Sequence, residues 1–575
     1  NVTFAISKIF KVIMKIDFQP KLFEGLRHYS REKFIADLMA GIIVGIVALP
    51  LAIAFGIASG VTPEKGLITA IVGGFIVSAL GGSSVQIGGP TGAFIVIVFG
   101  IIQGYGLEGL AIATAMAGAL LVLMGLFRLG GIIKFIPYPI VVGFTSGIAL
   151  TIFTTQIKDL LGLTVDKLPA DCLSQWAVYF QHLDSINPIS LLIGVGSILI
   201  IAVMPKISRK IPGSLVAIIV MTAVAYLLKE VGGISGIETI GDRFNISNEI
   251  PEPQPLHINM ETINQLLSPA FTIAILCAIE SLLSATVADG AISEHHNSNT
   301  ELIGQGMANI VVPFFGGIPV TGAIARTMTN INNGGRTPVA GIIHALVLLA
   351  IFLLLMPLIE LVPMACLAGV LVIVAYNMSG WRTVRSLLRN PKSDIAILAT
   401  TFILTVVFNL TIAIEIGMLL AVLLFLRRVS ENVQVSVLRD ELDVAQGTEM
   451  TQHETLNIAK GVEVYEINGP FFFGVATKFD EVMREMGDKP VVRIIRMRKV
   501  PFIDSTGLHN LQILVESSHR EGIRVILSGV NPSVQETLRK SGLNQIVGNE
   551  NICDHISKAV EKANAFVELN EKLKQ

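Results

Sequence analysis

Apolar residues fill this chain in long blocks, separated by short polar or Gly/Pro-rich breaks, as far as about residue 426. A helix needs about 20 mainly apolar residues to cross the hydrocarbon core of a bilayer. Segments 35–59, 65–82, 109–127, 138–157, 188–205, 212–228, 268–288, 302–318, 338–357, 361–378, 394–409 and 411–426 meet or approach that length. Two further segments, 92–104 and 322–333, are apolar but too short to span alone, which brings the expected membrane elements to fourteen. Beyond them the period changes. Val462–Ile467, Val491–Met497 and Ile523–Gly529 read as strands, and 476–486, 506–520, 532–541 and 554–566 read as amphipathic helices. That alternation predicts a soluble α/β sheet with covering helices.

The pattern divides the chain into an N-terminal segment 1–33, a membrane domain 34–428, a linker 429–460, an α/β domain 461–566 and a tail 567–575. Residues 1–33 are basic and polar, so the first apolar run is expected to be a membrane span and not a cleaved leader. Charge supplies an orientation. Arg128 and Lys134, then Lys206, Arg209 and Lys210, then Arg382, Arg385, Arg389 and Lys392, and finally Arg427 and Arg428 fall on one side. The loops 158–187 and 229–265 on the other side carry Asp166, Asp171, Asp184, Glu230, Glu238, Asp242, Glu249 and Glu252. Positively charged loops stay inside. Both termini are therefore expected in the cytoplasm, and the protein in the inner membrane of a bacterium.

Composition excludes other classes. Charged residues are 15% of the chain, against roughly 25% in a soluble domain, and the formal net charge of -2 leaves no footprint for nucleic acid. Cys172, Cys277, Cys366 and Cys553 have no paired spacing, so neither a disulfide framework nor a metal site is expected. No phosphate-binding loop, metal-binding His/Glu motif or nucleophile elbow occurs in the C-terminal part. An enzyme is not expected, and no cofactor.

The two short elements are one motif written twice. Residues 84–94 read Ser-Val-Gln-Ile-Gly-Gly-Pro-Thr-Gly-Ala-Phe, and Thr321-Gly322-Ala323 repeats Thr91-Gly92-Ala93 at an offset of 230. Each copy is the third element of a run of seven, in repeats of about 34–228 and 266–428. Interrupted helices at corresponding positions of two halves point to a transporter's binding site; the alternative is a pair of Gly/Pro-rich re-entrant loops with a packing role. A helix that starts in mid-membrane presents unpaired N–H groups and the positive end of its dipole, which suits an anion. Such backbone survives at that depth only where it lines a cavity or is buried in protein.

Two ionisable residues lie in apolar surroundings. Glu280 falls near the middle of the eighth element, and Arg326 one turn into the tenth. Each costs at least roughly 2.5–3.5 kcal/mol at a helix centre, which makes it a candidate for function. Facing one cavity, Arg326 would supply positive charge for the anion. Glu280 would couple transport to an ion, protonated in one state and ionised in another. A buried structural ion pair is the alternative. His344 is a further candidate proton carrier, against a histidine hydrogen-bonded between helices. Asp289, His295 and His296 are expected to be solvated.

Together Leu49-Pro50-Leu51-Ala52-Ile53-Ala54-Phe55, Gly89-Pro90-Thr91, Ala278-Ile279-Glu280-Ser281-Leu282-Leu283, Glu301-Leu302-Ile303-Gly304-Gln305-Gly306 and Thr321-Gly322-Ala323-Ile324-Ala325-Arg326 resemble the sulfate permease (SulP) family, also called solute carrier family 26. The resemblance covers nearly the whole chain. It implies a seven-plus-seven inverted repeat with core and gate domains, then a cytoplasmic STAS domain, commonly in a homodimer. By position it assigns Phe55, Thr91, Ala325 and Arg326 to the substrate and Glu280 to ion coupling; the repeated Thr-Gly-Ala adds Gly92, Ala93, Thr321, Gly322 and Ala323 to the expected substrate site, and Ser284 is a candidate oxygen beside Glu280 for the coupled ion. Leu51 and Ala325 replace the Gln and Ser of many members, which removes two side-chain hydrogen bonds. Bacterial C4-dicarboxylate transporters of the family share the Ala-Ile-Ala-Arg and Ala-Ile-Glu-Ser-Leu-Leu stretches. Asp504-Ser505-Thr506-Gly507 resembles the STAS turn whose serine is phosphorylated in anti-sigma-factor antagonists, which makes Ser505 a candidate for modification and leaves room for a cytoplasmic regulatory partner. The competing reading is that Ser505 or Thr506 merely caps the following helix. The expected function is proton-coupled symport of a small anion, a C4-dicarboxylate or sulfate. Sodium-dependent bicarbonate transport, anion exchange, a passive channel, or a membrane sensor on the same fold are the alternatives.

Overall fold

The computed structural model describes residues 18–27, 29–131, 136–165, 168–169, 171–207, 212–233, 236–247, 249–256, 259–408, 410–438, 441–443, 455–473 and 489–574. Lys134, Asp166, Arg209, Lys210, the expected helix 476–486 and much of segments 1–33 and 429–460 lie outside the described residues. The chain forms two compact units, residues 1–421 and 422–575.

In the first unit every expected membrane element is helical. The first helix, Arg31–Ala58, starts where Ser30 accepts from the backbone N–H of Lys33, and it carries Pro50 in its interior. Met260–Ile292 and Ser298–Val311 likewise open on side-chain caps, Asn259 and Asn297. These caps satisfy N–H groups that the first turn leaves unpaired. The third and fourth elements are joined at Gly106, whose φ of 70° breaks the run Ile95–Leu126 into two helices. Only glycine takes that conformation freely.

Small residues set how closely the helices approach. A Cβ on Gly118 or on Gly306 would lie 2.6 Å from the other's carbonyl oxygen, so the Ile95–Leu126 and Ser298–Val311 helices touch backbone to backbone. In a bilayer, where hydrophobic collapse between helices is absent, such close packing supplies much of the association energy.

With strands numbered in chain order, β1 (Gly88–Gly89) and β2 (Thr321–Gly322) fall in the first unit, and β4 (Glu441–Asp443) pairs with β5 (Thr455–Asn457) in the second. The second unit is built on a five-stranded sheet in the order β3-β6-β7-β8-β9, of β3 (Gln434–Leu438), β6 (Val462–Asn468), β7 (Val492–Lys499), β8 (Arg524–Ser528) and β9 (Ile552–Cys553). β3 is antiparallel to β6, and the remaining neighbours are parallel. A parallel sheet must be covered on both faces, and the alternation along β7 shows how. Ile495 and Met497 pack with Leu511, Val515, Val534 and Leu538 of the helices Ser505–Arg520 and Pro532–Ser541. Val492 and Ile494 pack with Ala559, Val560 and Ala563 of the last helix, Ile556–Lys574.

Three expectations need correction here. Residues 434–438, read as linker, are the edge strand β3, because Gln-Val-Ser-Val-Leu alternates and pairs with β6. Residues 567–574, read as a tail, continue the last helix, with Val567 buried against the sheet. The cap of Ser505–Arg520 is neither Ser505 nor Thr506. It is Asp504, whose Oδ1 accepts from Gly507 N at 2.7 Å, and Ser505 stands exposed at the first helical position.

Candidate functional site

The repeated Gly/Pro breaks meet in space. β1 (Gly88–Gly89) and β2 (Thr321–Gly322) form a two-residue antiparallel pair, Gly88 opposite Gly322 and Gly89 opposite Thr321. The pair is extended by Ala323 N donating to Ile87 O at 3.0 Å, and by Ile87 N donating to Thr327 Oγ1 at 3.1 Å. Asn309 acts as a substitute strand for the segment before β2: its Oδ1 accepts from Val320 N at 3.0 Å and its Nδ2 donates to Val320 O at 2.8 Å. Irregular backbone inside the membrane domain is thus paired and not exposed to lipid.

Each strand leads straight into a helix start. Thr91 precedes the short 3₁₀ turn Gly92–Phe94, and Ala323 precedes the helix Ile324–Asn332. Neither start has a side-chain cap. Both open onto one cavity of about 590 Å³, lined by Leu51, Phe55, Pro90, Thr91, Gly92, Ala93, Glu280, Ala323, Ile324, Ala325 and Arg326 from the core elements. Ile201, Pro205, Val370, Ile373, Val374, Asn377 and Met378 close it from helices Pro188–Ile207 and Met364–Met378.

Arg326 is the charge at its centre. The residue is 2% exposed, and neither Nη1 nor Nη2 has a hydrogen-bond partner. The Thr91 hydroxyl is likewise buried without a partner. Gly89 makes room for the arginine: a Cβ there would lie 1.7 Å from Arg326 Nη1. The half-buried Glu280 lines the same cavity, and no ion pair joins it to the free Nη atoms. The structural ion-pair reading of these two residues therefore finds no support.

Other expected residues lie elsewhere. Thr321 and Gly322 sit behind the cavity: the Thr321 hydroxyl donates to Cys277 O at 3.0 Å, and a Cβ on Gly322 would lie 2.0 Å from Gln86 Nε2. Their position in β2, one to two residues before the helix start, turns them toward the Met260–Ile292 helix. Ser284 is also outside the lining, its Oγ donating to Thr327 Oγ1 at 3.3 Å. His344 is fully buried, with neither ring nitrogen hydrogen-bonded. Of the three residues expected to be solvated, His295 is exposed, while Asp289 and His296 are partly exposed and paired with each other. His296 holds Asp289 through Nδ1 at 2.7 Å and its backbone N at 3.2 Å.

Two buried carboxylates escaped the sequence reading. Glu301 is fully buried and accepts from Gly82 N (2.8 Å), Ser83 N (3.2 Å), Gln86 Nε2 (2.8 Å), Ser281 Oγ (3.1 Å) and Gln305 Nε2 (2.8 Å). It ties the loop before β1 to the Glu280 helix. Asp37 is 1% exposed and accepts from Tyr29 OH, Arg336 N, Thr337 N and Thr337 Oγ1. Burial, then the hydrogen bond to Asp37, pushes the Tyr29 phenol up to about 12. Both acids stand near segment ends, where a carboxylate reads as solvated. Asn377, a lone amide in the apolar run Met364–Met378, was the legible signal for the gate wall.

Fourteen membrane elements, two helix starts on one cavity and a buried cation whose Nη atoms have no partner fit a multi-spanning anion transporter followed by an α/β sheet domain. A family model described as the Sulfate permease family matches residues 34–401, and a STAS domain model matches residues 455–563. The chain therefore belongs to the sulfate permease family, as a multi-pass membrane transporter of anions and not an enzyme. It is 41% identical to YvdB of Bacillus subtilis over 92% of this chain and 97% of that protein. It is 30% identical to the bicarbonate transporter BicA of Picosynechococcus over 88% of this chain and 90% of the other. The murine Slc26a9 anion transporter in its inward-facing state shares the fold, with a TM-score of 0.85 at 18% identity over 95% of this chain and 94% of that one.

Proposed function

We propose that the chain is a proton-coupled symporter of a small divalent anion, a C4-dicarboxylate or sulfate. The observation that carries this reading is Arg326: a buried guanidinium with two free Nη atoms, in a cavity shared with two uncapped helix starts and one carboxyl group. An unpaired buried charge is strongly unfavourable, so the site is built for an anion that completes it. The planar fork suits a carboxylate or sulfate, and the N–H groups of Gly92, Ala93, Ile324 and Ala325 add donors. Phe55 forms an apolar wall. Glu280 takes the proton, because a charge-neutral carboxyl beside the anion removes a repulsion that the ionised form imposes.

Sodium coupling needs a cage of several oxygens. The hydroxyls nearest Glu280 in sequence are already engaged: Ser281 with Glu301, Ser284 with Thr327 and Thr286 with Leu282 O. That favours the proton over sodium. The similarity to a bicarbonate transporter supports the competing reading, sodium-dependent bicarbonate uptake. Both termini in the cytoplasm, a bacterial inner membrane and a homodimer complete the proposal, with Ser505 exposed for modification or for a regulatory partner.

Uptake of labelled succinate, fumarate, sulfate and bicarbonate into proteoliposomes, under imposed pH or sodium gradients, tests it. Dicarboxylate or sulfate should accumulate with an inward proton gradient, and Arg326→Ala should raise the substrate constant strongly. Accumulation of bicarbonate alone, on a sodium gradient, would refute the reading.

A further inference from the structure

A second cavity, of about 720 Å³, lies away from the anion site, between the helices Tyr138–Leu161, Met364–Met378, Trp381–Leu387 and Lys392–Val407. Its walls are apolar, with Phe153 and Phe402 among them, and it falls in the ~300–1,000 Å³ range of small-ligand sites. One end differs. Tyr376, Ser379 and Trp381 bring aromatic and polar groups to the lining there. Trp381 Nε1 donates to the Tyr376 hydroxyl at 3.1 Å, and the Arg382 guanidinium lies 5.5 Å from the Trp381 ring centroid. An amphipathic aromatic pair of this kind belongs at the headgroup level of a bilayer.

The same end is strongly basic. Arg382, Arg385, Arg389 and Lys392 are all exposed, within a stretch of residues 381–394 whose single acid is Asp394. Among the described residues, none of the four has an acidic partner. An apolar groove with an amphipathic rim and a cluster of unneutralised arginines is complementary to one class of ligand. We propose that it binds an anionic phospholipid, with an acyl chain in the groove against Phe153 and Phe402 and the phosphate against Arg382 and Arg385. A zwitterionic lipid would fill the groove equally well but would forgo the charge, which is worth about 1 kcal/mol for each basic residue near an anionic surface.

Trp381 reports on its own site, because the chain has only two tryptophans. The full chain carrying Trp176→Phe is reconstituted into phosphatidylcholine vesicles containing phosphatidylglycerol or phosphatidylcholine with brominated acyl chains. At equal mole fraction, brominated phosphatidylglycerol should quench Trp381 with an apparent affinity roughly thirtyfold higher than brominated phosphatidylcholine. Arg382→Gln with Arg385→Gln, both at exposed positions, should abolish that difference while leaving quenching by phosphatidylcholine. The Trp381→Phe protein, which reports only Trp176, should show no headgroup preference. Equal quenching by the two lipids overturns the proposal, as does an unquenched Trp381 that becomes accessible only when a dimer is dissociated, which would assign the groove to a second copy of the chain.

Discussion

Replacing Gly89 by alanine puts a methyl group where the Arg326 guanidinium lies. The new Cβ would sit 1.7 Å from Nη1 and 3.0 Å from Cζ, while ordinary contact begins at 3.4 Å. The atom in the way is the far end of a flexible side chain, and the next neighbour, Ala70 Cβ, is at 3.7 Å. Folding should therefore survive, with the guanidinium displaced by at least about 1.7 Å. At an effective dielectric of about 20, an ion pair at ~4 Å is worth about 4 kcal/mol, and at ~5.7 Å about 3 kcal/mol. Loss of a charge-assisted hydrogen bond adds about 1.5–3 kcal/mol. Anion affinity should fall at least about tenfold, since 1.4 kcal/mol is one decade. The assay is equilibrium binding of the transported anion to the detergent-solubilised protein, with thermal unfolding as the check on folding. A double-mutant cycle isolates the cause: in an Arg326→Ala background the guanidinium is gone and the methyl group keeps its ordinary 3.7 Å contact with Ala70 Cβ, so Gly89→Ala should then be silent. Unchanged affinity in a well-folded Gly89→Ala protein, or an equal loss in the Arg326→Ala background, would refute the positioning argument.

Glu280→Gln holds the coupling group in its neutral form, so the variant should bind and exchange anion but lose accumulation driven by a pH gradient. Accumulation equal to that of the wild type would remove the carboxyl from the mechanism. Deletion of residues 433–575 removes the sheet domain whole, including β3, and leaves every residue lining the anion cavity in place. Substrate binding should stay near normal, and its complete loss from a stable, monodisperse truncated protein would contradict the site. Asp37→Ala leaves Tyr29 OH, the Arg336 and Thr337 N–H groups and the Thr337 hydroxyl without their acceptor. Each such loss costs about 1–3 kcal/mol, so thermal unfolding should shift down by many degrees, whereas a shift of a degree or less would show that water replaces the carboxylate.

The membrane elements were legible because the bilayer is an unforgiving solvent. Each span must be apolar along its whole length, so the segments stand out in the raw order of residues, including the short ones at Gly92 and Ile324. The repeated Thr-Gly-Ala also announced where two helices begin in mid-membrane. The α/β alternation of residues 462–529 was legible because short strands rich in Val and Ile, interrupted by single charges such as Glu463 and Arg493, alternate with amphipathic helical stretches. The edge strand β3 was not, because Gln434–Leu438 earns its place only by pairing with β6, 24 or more residues away along the chain.

What tertiary structure decided is which polar groups have partners. Local sequence places Glu280 inside an apolar run and Glu301 at a segment end, but only the fold shows that Glu301 is fully buried and saturated by five donors while Glu280 faces the cavity. Thr91 and Thr321 open identical tripeptides, yet one hydroxyl lines the cavity without a partner and the other is spent on Cys277 O. Only the second copy lies in the antiparallel pair, Thr321–Gly322 opposite Gly89 and Gly88, while Thr91 follows β1 at the helix start, so identical residues meet different surroundings. A charge or hydroxyl inside a membrane acquires its role from the donors and acceptors that other segments bring within about 3 Å, and in this chain some of those, such as Gln86 on Glu301 and Thr327 on Ile87, lie 215 and 240 residues away.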